Sequence, residues 1–312
     1  MQHKRIKRPV NGVLLLNKPI GITSNAALQI AKRLYQAEKA GHTGTLDPFA
    51  SGLLPLCFGE ATKFSQYQLH ADKAYRAVLQ LGVTTTTGDP EGTVLETRPV
   101  DVNDTQIAAA IAQFTGAIEQ TPPMYSALKH QGKPLYEYAR AGIEIVRKAR
   151  PVHIRSIHLI ARQAHTLTLD VVCSAGTYIR TLAESIGAVL GCGAHLIALT
   201  RTASGGFTLD QAVSLSALES DSESARDARL MPADGLVSYL PKIMVSVTDA
   251  AALRKGQRPH LPNPPAAAAE LLRAYDPAHR FLGLIEVQND GLALARRLMN
   301  TAQTEPMADT QI

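Results

Sequence analysis

The chain has 312 residues, of which 45% are hydrophobic. This length and composition allow a large buried core and favour one large domain with a second, small one. Lys and Arg together number 32 against 27 Asp and Glu, and the net charge of +5 mildly favours a polyanionic partner. The three cysteines are well separated and lack C-x-x-C spacing, which argues against a disulfide framework or a zinc site and fits a reducing cytoplasm.

The N-terminal region lacks the pattern of an export signal. The apolar run at 13–16 is too short for a signal peptide. No other apolar run approaches the roughly 20 residues that span a bilayer. We therefore expect a soluble, cytoplasmic protein with no membrane partner.

The periodicity of the first two thirds of the chain predicts alternating strands and helices. Strands are predicted at 12–16, 75–83, 93–97, 152–161 and 167–173, and helices from Thr23 or Ser24, along Ile107, Ile111 and Phe114, and over 178–190. We expect Gly41 to end the first helix and Gly116 the second. The turn-rich sequence TTTTGDPEG predicts a hairpin. This order predicts an α+β fold with a mostly antiparallel sheet.

The last quarter of the chain has a different composition. Residues 216–229 are highly charged, and a Pro/Ala-rich sequence begins at His260, so both predict surface segments. Residues 244–257 and 281–299 predict short strands, the last pair joined around residues 289–291. Together they predict a small β-rich module, and we expect the last dozen residues to be disordered.

The most informative local pattern is GHTGTLDPFASGLL, which begins at Gly41 and places Asp47 directly before Pro48. Gly41, Gly44 and Gly52 permit backbone angles and close approaches that other residues do not. We therefore expect Asp47 on a constrained loop that can aim its carboxylate at a ligand. The alternative is a helix N-cap, because an acid before Pro at the first helical position is a common helix start.

The sequence GHTGTLDPFASGLLPLCFGEATK, residues 41–63, closely resembles the catalytic motif of the tRNA pseudouridine synthase B family, whose members isomerise a uridine in the T-arm of tRNA. Five further segments resemble the same family in order: GVLLLNKPIGITS, KAYRAVLQLGVTTTTGDPEG, TPPMYSALKHQGKPLYEYARAGIEI, SAGTYIRTLAESIG and ALTRTASGGF. The resemblance weakens after about Gly235. It implies a mixed, mostly antiparallel pseudouridine synthase sheet with flanking helices and a catalytic cleft, plus a small PUA-like C-terminal domain.

The resemblance assigns the chemistry to Asp47, Tyr75 and Arg180. Asp47 matches the catalytic aspartate, which acts on the sugar or the base while the base is detached and rejoined through carbon. Arg180 matches the arginine that pairs with this aspartate and, because it stays protonated when buried, is expected to keep Asp47 ionised. Tyr75 matches the tyrosine that stacks on the target base and helps to move protons. The alternatives are a helical pair of Arg180 with Glu184 and a Tyr75 ring packed in a strand core.

Five more positions match family residues at the cleft. His42 matches the histidine that fills the space left by the extruded nucleotide, and Tyr178 and Leu199 match residues that contact the flipped uridine. Lys18 and Lys63 match basic positions where phosphate contact is expected. Without the family match, a loop hydrogen bond, core packing and a solvated surface are the simpler interpretations for His42, Leu199 and the two lysines, respectively.

Residues 124–150 resemble the RNA-gripping insertion, or thumb, of the family. Basic residues that neutralise phosphates alternate here with tyrosines that offer stacking surfaces. We expect RNA-backbone contacts from Lys129, Lys133, Arg147 and Lys148. The alternative is an ordinary exposed helix. We predict a catalytic domain over 1–235 that includes the thumb, and a PUA-like RNA-binding domain over 236–312 with a disordered tail.

The resemblance implies a monomer that needs no metal, cofactor or guide RNA and converts uridine 55 in the tRNA T-loop to pseudouridine. The target uridine is stacked, so its base must flip out before glycosidic cleavage, base rotation and carbon–carbon bond formation. Two alternatives are a non-catalytic tRNA-binding or tRNA-folding protein and a guide-RNA-dependent synthase of archaeal or eukaryotic type. A phosphotransferase is disfavoured: HTGTLD resembles the DKTGTLT motif of ion-pumping ATPases, but Gly41 stands at the phosphorylated position.

Overall fold

The computed structural model describes residues 7–261 and 271–300. The Pro/Ala-rich segment falls mostly in 262–270 and the predicted disordered tail in 301–312, so both predictions lie outside the described residues. No helix within the described ranges combines the length and apolar character needed to cross a membrane.

The described chain contains two larger sheets and two short hairpins. Its strands are β1 (Gly12–Lys18), β2 (Ala40–His42), β3 (Ser51–Phe58), β4 (Lys73–Leu81), β5 (Val83–Thr85), β6 (Val94–Thr97), β7 (Gly116–Gln120), β8 (Lys129–His130), β9 (Lys133–Pro134), β10 (Arg150–Gln163), β11 (Thr166–Cys173), β12 (Ala194–Ser204), β13 (Phe207–Thr208), β14 (Val213–Ser214), β15 (Lys242–Met244), β16 (Leu271–Tyr275), β17 (Phe281–Val287) and β18 (Ala293–Leu298). Its α-helices are α1 (Ser24–Leu34), α2 (Gln66–Leu69), α3 (Asp104–Ala112), α4 (Leu135–Arg140), α5 (Ile179–Val189), α6 (Leu215–Ser220), α7 (Glu223–Ala228) and α8 (Val247–Arg254). Three short 3-10 helices occupy Gly59–Lys63, Leu209–Gln211 and Ala233–Val237.

The large sheet has the strand order β14-β1-β3-β12-β4-β11-β10-β7, with β2 paired to β3 and β13 to β12. Its pairs are antiparallel except β1–β14 and β3–β12, which are parallel. Strand β11 alternates buried and half-buried residues, as expected when one face packs on a core, whereas nearly all of β3 is buried. The structure confirms the predicted mixed, mostly antiparallel α+β fold.

Helix α1 begins where the sequence predicts but ends earlier. The Thr23 side chain accepts a hydrogen bond from the Ala26 backbone N–H at 3.0 Å and so caps the helix. The predicted end at Gly41 is wrong. The helix stops before Tyr35, whose ring is fully buried, because Gln36 takes a left-handed backbone conformation (φ 52°). Gly41 instead lies in β2.

The C-terminal sheet has the order β15-β16-β17-β18, and the predicted hairpin at 281–299 is confirmed as β17 and β18. The strand predicted over 244–257 is wrong, because most of this segment is helix α8. Ser246 caps α8 by accepting from the Asp249 backbone N–H at 3.0 Å, and the following alanines favour helix. The division into domains at 235/236 stays a prediction.

An apolar cluster is shared by the two larger sheets. Leu15 of β1 and Leu53 of β3 belong to the same buried cluster as Phe281 and Leu284 of β17. The rings of Phe64 and Phe281 lie 5.3 Å apart between centroids. Burial of these side chains stabilises the attachment of the second sheet by the hydrophobic effect.

Candidate active site

A cavity of about 330 Å³ lies between the loop before β3, the first residues of β4, the middle of β12 and the first turn of α5. This volume is at the lower end of the range for small-ligand pockets. Charged and aromatic residues from distant parts of the chain line it, together with apolar ones. The lining includes Asp47, Tyr75, Tyr178, Arg180, Leu199 and Arg201.

Asp47 lies on a tight loop between β2 and β3. No helix follows Asp47. Its carbonyl accepts from the Ala50 backbone N–H at 3.1 Å, and β3 begins at Ser51. The N-cap interpretation is therefore wrong. Buried Ser24 anchors the loop by exchanging hydrogen bonds with the backbone of Leu46 at 2.7 and 3.0 Å. The carboxylate is held on a constrained loop at the cavity wall.

Arg180, in the first turn of α5, links two carboxylates. Its Nε donates to Asp47 at 3.1 Å and its Nη1 lies 3.2 Å from Asp89. Two backbone carbonyls, of Thr87 and Tyr125, accept from the same guanidinium at 3.1 and 2.6 Å. These four partners fix the position of the guanidinium. The alternative of a simple pair with Glu184 on the helix surface does not describe Arg180, because its side chain is only 4% exposed.

Asp89 is a site residue that sequence reasoning missed. It follows Gly88 in the GDPEG turn and, like Asp47, directly precedes a proline, which was the one available signal. Its carboxylate also accepts from the Glu91 backbone N–H at 3.0 Å. The Asp89 side chain is 3% exposed, whereas that of Asp47 is 37% exposed. Asp47 is therefore the carboxylate that a molecule in the cavity can reach.

Opposing influences act on the charge of Asp47. Burial raises the pKa of its carboxyl above the ordinary value, while Arg180 lowers it, Asp89 raises it and Lys18 lowers it; the net direction is upward. Because the carboxylate is partly exposed, the ion pair with Arg180 is also screened by solvent. The predicted ion pair between Asp47 and Arg180 is present, but its effect on the pKa of Asp47 is smaller than the opposing effect of burial.

The aromatic and apolar wall of the cavity comes from β4, β12 and the residue before α5. Tyr75 of β4 and Leu199 of β12 line the cavity, and Leu199 is 7% exposed. Tyr178 precedes α5, and its backbone N–H donates to the Gln120 side chain at 3.0 Å. The structure therefore brings the three predicted base-contacting residues together with Asp47.

Lys18 is placed differently from what we predicted. It is fully buried, and its ammonium donates to the carbonyls of Pro19, Ile22 and Pro48 at 2.8, 2.7 and 3.4 Å. Burial lowers its pKa to about 8, against the opposing effect of Asp47. A fully buried ammonium is not exposed to an RNA phosphate. Lys18 instead ties the loop after β1 to the loop that carries Asp47.

Lys63 and His42 also lie outside the cavity lining. The Lys63 ammonium contacts the Glu60 carboxylate at 2.8 Å, the Leu298 carbonyl at 3.1 Å and the Asn300 side chain at 2.9 Å. These contacts tie the 3-10 helix after β3 to the end of β18. His42 ends β2, and burial lowers the pKa of its imidazole. The nucleotide contacts expected of these two residues stay predictions.

The predicted thumb lies between β7 and β10, which pair directly through Gln120 and Arg150. It contains the β8–β9 hairpin, α4 and an extended segment. Lys129 and Lys148 are exposed, and Lys133 lies over the Tyr138 ring at 5.0 Å. Arg147 donates to the Ile145 carbonyl within the thumb at 3.0 Å and to the Pro122 carbonyl just before the thumb at 3.2 Å. The RNA contacts of these four residues stay predictions.

Family models match three consecutive stretches of the chain. Residues 32–179 match the "TruB family pseudouridylate synthase (N terminal domain)". Residues 180–238 match the "tRNA pseudouridylate synthase B C-terminal domain", and residues 241–299 match "Pseudouridine synthase II TruB, C-terminal".

Named relatives cover almost the whole chain. A protein of Thiobacillus denitrificans named tRNA pseudouridine synthase B is 60% identical over 96% of this chain and 99% of its own length. Proteins of the same name from Burkholderia mallei and Aromatoleum aromaticum are 54% and 53% identical, over 95% and 97% of this chain and 99% and 97% of their own lengths. Among solved structures, a chain of a Cbf5-Nop10-Gar1 complex is similar, with a TM-score of 0.70, 26% identity, and coverage of 92% of this chain and 85% of that one.

The sheet topology and the neighbouring structures define a pseudouridine synthase fold with a C-terminal β domain. With the matches across its length, the chain belongs to the tRNA pseudouridine synthase B (TruB) family. It is accordingly an enzyme, an isomerase that acts in tRNA modification.

Proposed function

We propose that this enzyme converts uridine 55 in the T-loop of tRNA to pseudouridine. The observation that carries the proposal is the contact of Arg180 with Asp47 at the wall of a cavity that Tyr75 and Leu199 also line. A carboxylate, an oriented cation and flat apolar surfaces suit a detached uracil, which has a π-face and polar edges. The family resemblance supplies the position in tRNA.

Asp47 acts on the flipped nucleotide, as its exposure in the cavity supports. The reaction breaks the bond between sugar C1′ and base N1, rotates the base and joins C1′ to C5. The C5 hydrogen is released to water as a proton, and N1 takes up a proton in its place. It is an isomerisation, so no atom is gained or lost overall. Arg180 orients the Asp47 carboxylate through Nε, and the Tyr75 ring stacks on the base.

Base flipping costs roughly a few kcal/mol, which contacts elsewhere on the RNA must offset. We assign those contacts to the thumb and the C-terminal sheet. The exposed lysines of the thumb, Lys129, Lys133 and Lys148, are placed to neutralise phosphates. The basic candidates in this part of the chain are Arg296 and Arg297 of β18, together with Lys255 and Arg258, which follow α8.

A monomer without a guide RNA is the proposed working form. Asp47, Tyr75 and Arg180 come from one chain and line one cavity, so a second copy is not needed to complete it. The similarity to a chain of a Cbf5-Nop10-Gar1 complex shows a shared fold and does not decide between this form and the guide-dependent alternative. Relatives at 53–60% identity, however, carry the name tRNA pseudouridine synthase B. The three cysteines are buried free thiols, which fits the proposed cytoplasmic location.

Release of tritium tests the proposal. A T-arm stem-loop labelled with tritium at C5 of its target uridine should release the label to water, because C5 loses its hydrogen when it forms the new bond to the sugar. The same stem-loop labelled only at another uridine should retain it. No release by a folded preparation that binds the RNA would favour the non-catalytic alternative, and release only with an added guide RNA would favour the guide-dependent one.

A further inference from the structure

Arg201 is a buried cation that the proposed mechanism does not use. It is 1% exposed, its Nε donates to the Leu53 carbonyl at 2.6 Å, and its Nη1 donates to the Thr45 carbonyl at 3.4 Å. Its Nη2 is buried without a hydrogen-bond partner among the described residues. Arg180 pairs with two carboxylates, but no carboxylate in the described chain forms an ion pair with Arg201. A buried charge of this kind is costly to the fold, which points to a functional role.

The sheet register brings Arg201 to Tyr75. The two residues are opposite each other in the antiparallel pair of β12 and β4, and both line the cavity. On its other side Arg201 is opposite Gly52 of β3. A Cβ at Gly52 would lie 2.3 Å from the Arg201 carbonyl oxygen, so only glycine permits this approach of the strands.

We propose that Arg201 is a positioning residue that holds the Tyr75 side chain at the cavity wall and keeps a positive charge beside its hydroxyl. The inference rests on the proposed function for the role of Tyr75, but the contact itself does not depend on it. The guanidinium stays charged when buried and has a donor left over. Electrostatics agree: burial raises the pKa of the Tyr75 phenol, and Arg201 is the strongest influence that opposes this rise.

A fluorine probe tests the contact without measuring catalysis. The full-length protein is labelled with 3-fluorotyrosine, and the 19F resonance of position 75 is identified by its loss in Tyr75→Phe. In Arg201→Gln, the pH midpoint of this resonance should rise by about one unit or more, because a neighbouring positive charge is removed. In Arg201→Lys, which keeps the charge without the fork, the rise should be smaller.

Arg76→Gln is the matched control. Arg76 follows Tyr75 on the same strand but projects from the opposite face, where it pairs with Asp170 at 2.8 Å and is 54% exposed. Its removal should leave the midpoint at the wild-type value. A folded Arg201→Gln protein with an unchanged midpoint would overturn the inference. If this variant does not fold, a crystal structure of the wild type decides, and a Tyr75 hydroxyl beyond hydrogen-bond reach of Arg201 would refute it.

Kinetics separate positioning from RNA binding. In single-turnover reactions at saturating tRNA, Arg201→Gln should slow isomerisation by roughly ten- to a hundredfold with unchanged tRNA affinity, and Arg201→Lys should recover part of the rate. Weaker affinity with an unchanged saturated rate would contradict the inference. Absence of tritium release by the wild type would refute the proposed function instead, and the fluorine midpoints would still decide whether Arg201 acts on Tyr75.

Discussion

The Asp47 carboxylate accepts the Nε–H of Arg180 at 3.1 Å, and this contact joins the loop before β3 to the first turn of α5. Arg180 cannot turn away without leaving Asp89 and two backbone carbonyls. The position of the accessible carboxylate is thus fixed by a buried group with four acceptors. Asp47 and its neighbours therefore give the most direct tests of the proposed mechanism.

Replacement of Asp47 by Asn should abolish isomerisation while folding and tRNA binding persist. The amide keeps the size of the side chain but lacks the nucleophilic carboxylate, so the single-turnover rate should fall by at least about a thousandfold. Tritium release and a filter-binding assay measure the two effects. Asp101→Asn changes an exposed aspartate and serves as the control. Substantial turnover by a verified Asp47→Asn preparation would refute nucleophilic catalysis by Asp47.

Asp89→Asn should weaken both stability and catalysis without removing the reactive group. Arg180 keeps Asp47 but loses its second, fully buried counter-charge. We expect unfolding in urea to show a loss of about 1–3 kcal/mol. Asp104→Asn breaks an exposed pair with Arg162 and should cost less than about 1 kcal/mol. Equal losses in the two variants would show that Arg180 does not depend on Asp89.

The pH dependence of kcat/KM should show the raised pKa of Asp47. The ionised carboxylate is the proposed nucleophile, so kcat/KM, which follows the free enzyme, should fall as the pH drops through this pKa. That decline should begin at a higher pH than the ordinary aspartate value of about 3.9 implies. A decline centred at or below that value would show that Arg180 outweighs burial.

The same shift makes a prediction for stability. Because the pKa of Asp47 is raised in the folded state, its contribution to stability is fully present below about pH 3.9 and is lost as the pH rises through the folded-state pKa. Asp47→Asn has no such loss. Urea unfolding across this window should therefore show the stability of the variant rising relative to the wild type as the pH increases. The opposite trend would contradict the raised pKa.

The thumb should contribute affinity more than rate. The double variant Lys129→Ala/Lys148→Ala removes two exposed charges, so tRNA affinity should fall and the log–log salt slope should become shallower by about 1.4–1.8. The saturated single-turnover rate should be nearly unchanged. Arg33→Ala/Lys39→Ala removes two exposed charges outside the cavity and thumb and controls for net charge. An unchanged slope in the thumb variant would place the RNA elsewhere.

Gly52→Ala should be strongly destabilising, whereas Gly41→Ala should be tolerated. The added methyl at position 52 would overlap the Arg201 backbone, and the backbone there has φ of 105°. We expect a loss of more than about 2 kcal/mol, measured by urea unfolding. At Gly41 the nearest atom to an added Cβ is 4.0 Å away. Similar stability of the two variants would contradict the strand contact.

The sequence predicted the parts of the fold that depend on local patterns. Alternating apolar residues located β10 and β11, and the cap at Thr23 located α1. The helix at α8 was missed because its short apolar stretch suits either a strand or a helix. Gly41 could not be assigned correctly without knowing that Tyr35 is buried and that the chain turns at Gln36.

The site was predicted as far as family motifs reach. Asp47, Tyr75, Tyr178, Arg180 and Leu199 meet at one cavity. Asp89 and Arg201 were missed because their importance comes from burial and from partners distant in sequence. The proline after Asp89 is a local signal, but it does not by itself indicate a site. For the same reason the carbonyl partners of Lys18 and the contacts of Lys63 with the end of β18 could not be foreseen.

The apolar cluster shared by the two sheets has a consequence for synthesis on the ribosome. Leu15 of β1 leaves the ribosome long before Phe281 and Leu284, which share its cluster. The part of this apolar cluster that the two C-terminal side chains cover therefore stays uncovered until β17 has been made. Contacts of such long sequence separation form slowly, so the nascent chain should need chaperone protection until β17 has emerged.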